Sequence, residues 1–573
     1  MNGESAGPVA RALPSVSRIG PIWSGRRGER AAVRGLVVAM ALAAATILWL
    51  GRDLTFWSDE FAWLTFGDDF AAETLLTPHN GHLIAVPRLV YELLPRVFGP
   101  DYLPFRLLAL ASFLSCVGLF FLLARREVGG LIALAPSVVL LFFGSSAVIV
   151  LSPLSIPITL SIAFGLGALL ALNGQRRHDL LAATLLALSL LSDSFGVMVV
   201  FGVVLYFLIG DTRRRLWVPL APLAMYGGWW IWAQRFDQGI ASASNLSEVP
   251  AFVVESAVAT LTAMTGFAGP TFDGRFGSLA SGLEVVFVIA AAAALLFLGL
   301  RLRGRPAGPW LWSYLLIVLV FWVALGFSEG PTREPTTPRY LFFGSIMVLL
   351  VAAARTRGAQ ATRTAVLVLL AFCSASLVLN ATQLVRAADS SRIAAVEVRA
   401  QLGVLELAGS AANPAFPTRN AGPPASRDVA VATGPYLDFV EATGNLGFSA
   451  AELSGRQQSV RAGADFVLAR AEGLLAVPDQ PSPPAATKCE RKSAPPGVAA
   501  RFGLAEGTTL LRLAEPGPPQ PLLVGRFAPP TVPIGALDAE SFAAVVVPPD
   551  GASEPWAGQV AVPIQVCRSP AAG

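Results

Sequence analysis

Titratable side chains are concentrated in one polar loop near the start of the chain, residues 52–104. Because only 14% of all residues are charged, this loop is the first place to look for chemistry. Adjacent carboxylates can take a proton from a hydroxyl group, and two neighbouring acids raise each other's pKa towards a useful range. Histidine and arginine can donate hydrogen bonds that stabilise a developing negative charge. The loop holds Asp59, Glu60, Asp68, Asp69, Glu73, His79, His82 and Arg88.

The neighbouring acids Asp59 and Glu60 are the main candidates for a general base. They stand a few residues past the end of an apolar run. They also precede an apolar helical pattern, and acids at a helix N-terminus interact favourably with its N–H groups and dipole. The same two interpretations, a helix cap or part of a substrate site, apply to Asp68 and Asp69.

The histidines His79 and His82 are three residues apart. On a helix they would share a face and could hold a divalent cation with help from Asp68 or Asp69. Gly81 between them weakens a helix, so we favour hydrogen bonding to a substrate. We therefore assign no metal ligand and no definite cofactor, and a requirement for a divalent cation stays open.

The composition indicates a polytopic membrane protein. The chain is 54% hydrophobic, with a mean hydropathy of +0.60. Apolar runs long enough to cross the ~30 Å hydrocarbon layer recur through its first two thirds. The net charge of +4 does not indicate nucleic-acid binding, because the basic residues lie mainly in short loops between apolar runs. That placement is typical of cytoplasmic loops.

Eleven transmembrane helices account for the apolar runs and place every short Arg-rich loop on the side of the N-terminus. The run at residues 251–267 is apolar but interrupted, so it is interpreted as a re-entrant or interfacial helix. Counting it as a span would put the last two basic loops, at residues 301–305 and 355–363, outside, against the charge rule. The predicted spans are residues 35–50, 105–124, 130–151, a fourth that follows a turn at 152–153 and ends near 172, 179–191, 195–210, 216–233, 283–300, 310–327, 340–354 and 365–380.

Three regions follow from this count. Residues 1–34 form a basic, disordered cytoplasmic tail; a cleaved signal peptide is the alternative, which we disfavour because the basic segment is long. Residues 35–380 form the transmembrane domain, with residues 52–104 as its outer loop. Residues 381–573 form an extracytoplasmic domain, beginning with an amphipathic helix over residues 386–407.

The last region has the pattern of a small folded domain. Short apolar runs between turn residues predict a domain that is α/β early and β-rich late. Cys489 and Cys567 flank its β-rich part, and two cysteines at the ends of an extracytoplasmic domain favour a disulfide over two free thiols. The other cysteines, Cys116 and Cys373, fall within predicted spans and are interpreted as inert.

Several short motifs resemble those of the GT-C class of membrane glycosyltransferases, which includes protein O-mannosyltransferases and aminoarabinose transferases. They are WSDE at residues 57–60, GDD at 67–69, HNGH at 79–82, and the pair Arg339 and Tyr340 at the start of a late span. The resemblance covers roughly residues 35–380. It implies a GT-C-like helical fold, and a sugar donor linked to a polyprenyl phosphate.

The resemblance implies transfer of that sugar to a glycan, lipid or protein acceptor of the cell envelope. A chain rich in Ala, Gly, Pro and Arg suggests a high-GC bacterium, hence its cytoplasmic membrane, with membrane lipid as a further partner. A transporter or flippase of lipid-linked sugars stays open, although the spans are nearly free of ionisable groups. So does a non-catalytic role in envelope assembly. The expected roles are a base for Asp59 or Glu60, and substrate binding for His79, His82, Arg88, Arg339, Tyr340, Asp68 and Asp69.

Overall fold

The structure is a computed structural model of the 573-residue chain. It describes residues 26–66, 70–172, 176–210, 212–236, 243–266, 307–328, 334–358, 362–418, 431–483, 487–493, 495, 497–550 and 554–568. The chain divides into two compact units. The first, here called the helical unit, comprises Met1–Leu50, Leu76–Val86 and Leu107–Ala388, and the second, the mixed unit, comprises Gly51–Leu75, Pro87–Arg106 and Asp389–Gly573.

The helices follow the apolar runs of the sequence, because a helix satisfies all its backbone hydrogen bonds within one segment. The α-helices of the described residues are α1 Arg26–Leu50, α2 Asp59–Leu64, α3 Ala72–Leu76, α4 Ala85–Phe98, α5 Leu103–Val128, α6 Gly130–Leu141, α7 Ala147–Leu151, α8 Ile156–Leu172, α9 Asp179–Ser192, α10 Phe195–Ile209, α11 Trp217–Ala233, α12 Val249–Thr265, α13 Pro309–Gly326, α14 Pro338–Arg355, α15 Arg363–Ala408, α16 Thr433–Thr443, α17 Ala450–Ser454 and α18 Gln458–Ala471.

The protein is a multi-pass membrane protein, but eleven spans are not confirmed. Among the described residues, six helices are long and apolar enough to cross a membrane, or seven if α6 and α7 form one bent span. The predicted spans at α9, α10 and α11 are helices of 14, 15 and 17 residues. At 1.5 Å per residue each is shorter than the ~30 Å hydrocarbon layer. The predicted span 283–300 lies outside the described residues.

One span of the helical unit is broken at a polar turn. α6 and the segment Gly144–Leu151, which ends with α7, meet at an angle of 49° across residues 142–143. Ser145 and Ser146 are fully buried there, and the Ser145 N–H donates to Oδ1 of Asn380 at 3.2 Å. Non-helical backbone at membrane depth requires partners of this kind within the protein.

The interrupted apolar run at residues 251–267 forms α12, which ends at Gly266 in a left-handed conformation (φ 75°). Its last carbonyls receive hydrogen bonds from α15. Ser376 Oγ donates to Met264 O, and Gln383 Nε2 donates to Gly266 O at 2.7 Å. These bonds supply partners that the end of a helix would otherwise lack.

The helix α15 is longer than expected. The sequence predicted a span at residues 365–380 and a separate amphipathic helix at 386–407, whereas the structure has one helix of 46 residues. Nothing in the intervening residues 381–385, ATQLV, breaks a helix, because they include neither proline nor glycine.

The mixed unit contains the predicted β-rich part, folded as two antiparallel sheets with strand orders β1-β7-β4-β9-β2 and β3-β8-β5-β6. The predicted disulfide is present: Cys489 and Cys567 lie directly opposite each other on β2 and β9, 78 residues apart in sequence. The strands are β1 Val477–Gln480, β2 Lys488–Lys492, β3 Ala500–Leu504, β4 Gly507–Leu513, β5 Gln520–Gly525, β6 Val532–Leu537, β7 Phe542–Val547, β8 Trp556–Val560 and β9 Ile564–Arg568.

A buried charged cluster joins α18 to the four-stranded sheet. Asp465 accepts three consecutive backbone N–H groups that begin at Arg526, at 2.9 to 3.2 Å. The Arg526 guanidinium pairs with Asp550 and lies 3.8 Å from Glu472, which accepts a hydrogen bond from the indole of Trp556. Burial raises the pKa of Asp465 to about 6 and that of Glu472 to about 8.

Two glycines of the mixed unit bring backbone against backbone. A Cβ on Gly403 of α15 would lie 2.2 Å from Phe448 O, and one on Gly447 would lie 2.1 Å from Gly403 N. Three residues along the same helix, Glu406 Oε1 accepts the Gly447 N–H at 2.8 Å and the Tyr436 hydroxyl. The close backbone contact and the hydrogen bonds to Glu406 together hold the loop around Gly447 against α15.

Candidate functional site

The acidic motif of the first loop lies at the start of the short helix α2. Ser58, the residue before it, has φ 54° and ψ −132°. A residue with a side chain is strained in this region, and such strain is found where the surrounding structure holds the backbone in place. Ser58 therefore belongs to a fixed turn, and Asp59 and Glu60 are the first two residues of the helix that follows it.

Glu60 is completely buried in the mixed unit, with hydrogen bonds to both carboxylate oxygens. Tyr91 on α4 donates to Oε1 at 2.8 Å. Tyr102, next to α5, donates to Oε2 at 3.3 Å, and the Trp57 N–H donates to the same oxygen at 3.2 Å. Burial raises the pKa of Glu60 to about 8, against the lowering effect of these hydrogen bonds.

Glu60 thus connects three elements of the mixed unit: the turn before α2, the helix α4 and the start of α5. The ring of Trp63 lies 5.0 Å from that of Tyr91, which completes an aromatic surrounding for the carboxyl group. A group held in this way is suited to fixing its neighbours. Both of its oxygens already serve as acceptors within the protein.

Asp59 differs from its neighbour in exposure, being only half-buried. Successive residues of a helix project about 100° apart, so burying Glu60 turns Asp59 away from the same core. Its negative charge adds to the rise in the Glu60 pKa. Asp59 is therefore the more exposed member of the pair, directly before the buried Glu60.

Arg88 is buried in the mixed unit, with 4% of its surface exposed. Its guanidinium donates to the Thr74 carbonyl at 2.7 Å and lies 3.9 Å from the centre of the Phe66 ring. Burial lowers the pKa of Arg88 to about 10, which leaves it charged near neutral pH. Asp68 and Asp69, also predicted for the site, lie outside the described residues.

His79 and His82 flank a two-residue turn rather than sharing a helical face. The central residues Asn80 and Gly81 have φ 48° and 76°, as in a type I′ hairpin turn. Each histidine N–H donates to the carbonyl of the other, at 3.0 and 2.9 Å. The helical arrangement considered for a shared cation is therefore wrong, because Asn-Gly favours this turn.

His82 belongs to a polar chain within the helical unit. Its Nδ1 lies 2.8 Å from Ser194 Oγ, which lies 3.3 Å from the Tyr226 hydroxyl on α11. The loop is fixed to the same helix by Trp229, whose indole N–H donates to the Leu76 carbonyl at 2.7 Å. The sequence reasoning did not include Ser194 or Tyr226. The polar Ser-Asp-Ser turn between two apolar runs was the available signal for the serine.

Arg339 and Tyr340 begin the long apolar helix α14. Part of Arg339 is buried, and its Nε has no hydrogen-bond partner in the described part of the chain. The Ser146 hydroxyl of the broken span donates to the carbonyl of Pro338 and so holds this helix start. A cation at a helix N-terminus opposes the helix dipole, so the arrangement suits a bound anion. Tyr340 is buried, its ring 6.0 Å from that of Phe321.

The candidate residues are divided between the two units. The described residues contain no group of three His, Cys, Asp or Glu side chains placed to share a metal ion. Asp59, Glu60 and Arg88 belong to the mixed unit, and His79, His82, Arg339 and Tyr340 belong to the helical unit.

Comparison with known proteins gives a structural similarity and no sequence match. No protein-family model matches the chain, and no curated protein sequence matches it. The chain is similar in structure to ArnT from Cupriavidus metallidurans, at low identity. The crystal structure bound to undecaprenyl phosphate has 15% identity and a TM-score of 0.42 over 70% of this chain and 84% of that one. The apo structure has 13% identity and a TM-score of 0.44 over 78% and 96%.

Proposed function

We propose that this protein is a membrane glycosyltransferase. It moves a sugar from a polyprenyl-phosphate carrier to a hydroxyl group of a cell-envelope glycan, lipid or protein on the outer face of the bacterial cytoplasmic membrane. The acceptor oxygen attacks the anomeric carbon while the bond from that carbon to the phosphate oxygen breaks. The electron pair leaves with the polyprenyl phosphate, and the acceptor proton passes to Asp59. A direct displacement of this kind inverts the anomeric configuration.

The observation that carries the proposal is the fixed position of Asp59. A strained turn at Ser58 precedes it, and a buried, triply hydrogen-bonded Glu60 follows it. A general base must be held within hydrogen-bond reach of the proton that it takes. Ordinary surface acids need no such support.

Glu60 acts as a positioning residue in this proposal. The sequence made it the alternative base, but both its oxygens accept hydrogen bonds inside the protein and it is fully buried. Near neutral pH a carboxyl group with a pKa of about 8 is mostly protonated, so it is poorly suited to accept a further proton.

Arg339 supplies the second requirement, a group that binds the departing phosphate. Its guanidinium can donate two parallel hydrogen bonds to a phosphate. It starts a helix, where backbone N–H groups also favour an anion, and its Nε is unpartnered in the described part of the chain. Arg339 therefore recognises the donor, with Tyr340 packed behind it.

His82 and Arg88 have supporting roles. Ser194 holds the imidazole of His82, which we assign, with His79, to hydrogen bonding with substrate. Arg88 shapes the loop by holding the Thr74 carbonyl, and its charge contributes to attracting a phosphate. The donor class comes from the motif resemblance, and no metal step is required by these residues.

The test is incorporation of labelled sugar from a polyprenyl-phosphate donor into membrane material. Asp59→Asn keeps the size of the side chain and removes its basicity, so turnover should fall by ~10²–10⁴-fold with donor binding little changed. Asp53→Asn, the same substitution at an exposed acid of the same loop, is the matched control and should retain activity. Arg339→Ala should weaken donor binding instead.

Two outcomes would redirect the proposal. Full transfer activity in both Asp59→Asn and Glu60→Gln would remove this loop from the catalytic centre and favour transport of lipid-linked sugars. Loss of transfer in EDTA, restored by a divalent cation, would add a metal to the reaction.

A further inference from the structure

A groove of about 530 Å³ lies between α1 and α5 of the helical unit. Val33, Leu36 and Met40 line it from α1, and Gly118 and Leu122 are among the residues that line it from α5. The spacing of three and four residues on each helix places these side chains along facing stripes. The groove is therefore elongated along two helices that are long enough to cross a membrane.

Gly118 is the lining residue without a side chain. A Cβ built there would meet a single neighbouring atom within 4 Å, Met40 Cε at 3.8 Å. A larger side chain at this position would project into the space without striking backbone. The lining hydroxyl of Ser115 donates to the Ala111 carbonyl of its own helix, so the groove presents an apolar surface to an occupant.

One end of the groove is basic. Arg125 lines that end, with its guanidinium 5.9 Å from the Phe121 ring. Exposed Arg30 lies one helical turn before Val33 on α1. The carboxylate of the nearby Glu29 accepts a hydrogen bond of 2.8 Å from the backbone N–H of Gly130, at the start of α6. The apolar groove thus has an excess of positive charge at one end.

We propose that this groove binds one anionic phospholipid, with an acyl chain along α1 and α5 and its phosphate beside Arg125 and Arg30. Basic pockets between transmembrane helices on the cytoplasmic side suit anionic headgroups. The charge pattern of the sequence predicts that Arg125 faces the cytoplasm, whereas the donor phosphate of the proposed reaction lies on the other face. The site is therefore separate from sugar transfer and does not depend on it.

Native mass spectrometry of the full chain in mild detergent tests this proposal. The probes are phosphatidylglycerol and phosphatidylcholine with identical acyl chains. The first phosphatidylglycerol should bind the unsubstituted protein about fivefold or more tightly than phosphatidylcholine, as expected for one basic residue at an anionic group. Arg125→Gln should reduce that preference, and combining it with Arg30→Gln should remove it. Arg176→Gln, at another exposed loop arginine, is the control and should keep it.

Gly118→Leu should abolish the first binding site for both lipids, because its side chain fills the groove. Gly118→Ala, which adds one methyl group in ordinary contact, should retain the site. Phosphatidylglycerol with a photoactivatable acyl chain provides a measurement without substitution, and its adducts should map to α1 and α5 near Met40.

Equal binding of the two lipids, unchanged binding in Gly118→Leu, or adducts confined to other helices would each overturn the proposal. Undecaprenyl phosphate is the competitor. If it displaces phosphatidylglycerol at a lower concentration than phosphatidylglycerol itself requires, the groove is a carrier-lipid site and the assignment to phospholipid is overturned.

Discussion

Replacing Glu60 with glutamine should change the stability of α2 with a sign that depends on pH. Burial raises the pKa of Glu60 from 4.5 to about 8 in the folded protein. Between these values the folded protein holds a proton that the unfolded chain has released, so rising pH favours unfolding. The stability that comes from this proton is fully present below pH 4.5 and is lost as the pH rises through 8.

The size of the effect follows from the same pKa values. A rise from 4.5 to about 8 corresponds to an upper limit of ~5 kcal/mol in the free energy of local unfolding. Glutamine does not ionise, so the variant should not lose this stability as the pH rises. Its amide replaces one oxygen that accepts from Trp57 or Tyr91, at a cost of about 1 kcal/mol. Glu60→Gln should be slightly less stable than the natural protein near pH 5 and more stable near pH 9.

Hydrogen exchange of the backbone amides in α2 is the suitable measurement, because two compact units need not unfold together. The natural protein and Glu60→Gln are compared at equal pH from 5 to 9, which cancels the intrinsic exchange rate. Glu441→Gln, an exposed glutamate of the mixed unit, is the control and should follow the natural protein. If the stability of α2 depended on pH in the same way in Glu60→Gln and in the natural protein, the reasoning would be refuted, since Glu60 would then not be a buried, protonated acid.

Three further predictions concern the mixed unit. Replacing Cys489 and Cys567 with serine should destabilise the two sheets by about 2–5 kcal/mol, which should appear as faster hydrogen exchange of β2. The membrane helices should remain inserted. Unchanged hydrogen exchange would show that the disulfide does not stabilise the sheets. Lys488 and Lys492, both on β2, are the only lysines of the chain. Because the sequence predicts that this unit is extracytoplasmic, an amine reagent that does not cross membranes should modify β2 in intact cells. Modification only after lysis would place the unit in the cytoplasm. Arg526→Leu should cost about 3–5 kcal/mol by leaving the buried carboxylate of Asp550 unpaired, seen as faster hydrogen exchange of β5; unchanged exchange of β5 would contradict a stabilising ion pair.

The larger features of the fold could be predicted because they rest on local composition. Apolar runs located the membrane helices, and turn residues between short apolar runs located the strands. The disulfide between Cys489 and Cys567 followed from cysteine placement. The length of each helix was less accessible, since a membrane-facing run and a run buried among other helices have the same composition. This is why eleven predicted spans correspond to six or seven helices of sufficient length among the described residues.

The roles within the acid pair were less predictable, because they depend on distant residues. Asp59 and Glu60 are adjacent and chemically alike, and the sequence cannot say which one faces the core. That distinction is made by Tyr91 and Tyr102, which are 31 and 42 residues away from Glu60. A side chain's access to substrate is therefore a property of tertiary packing.

The histidine pair shows a different limitation. A separation of three residues fits one face of a helix and also the two ends of a two-residue turn. Asn80 and Gly81 favour positive φ, which decides for the turn. The sequence reasoning used Gly81 only as a weakness in a helix. It missed Ser194, whose contact with His82 spans 112 residues of sequence.

The backbone contact between Gly403 and Gly447 restricts how this chain can vary. Any other residue at either position adds a carbon within 2.2 Å of opposing backbone, which no rotamer change can relieve. Gly463 of α18 has no atom within 4 Å of the same added carbon. In a library of all single substitutions selected for folded protein, only glycine should be tolerated at positions 403 and 447. Position 463 should accept alanine with a gain of roughly 0.5–1 kcal/mol in helix stability, so similar glycines differ greatly in the evolutionary freedom they retain.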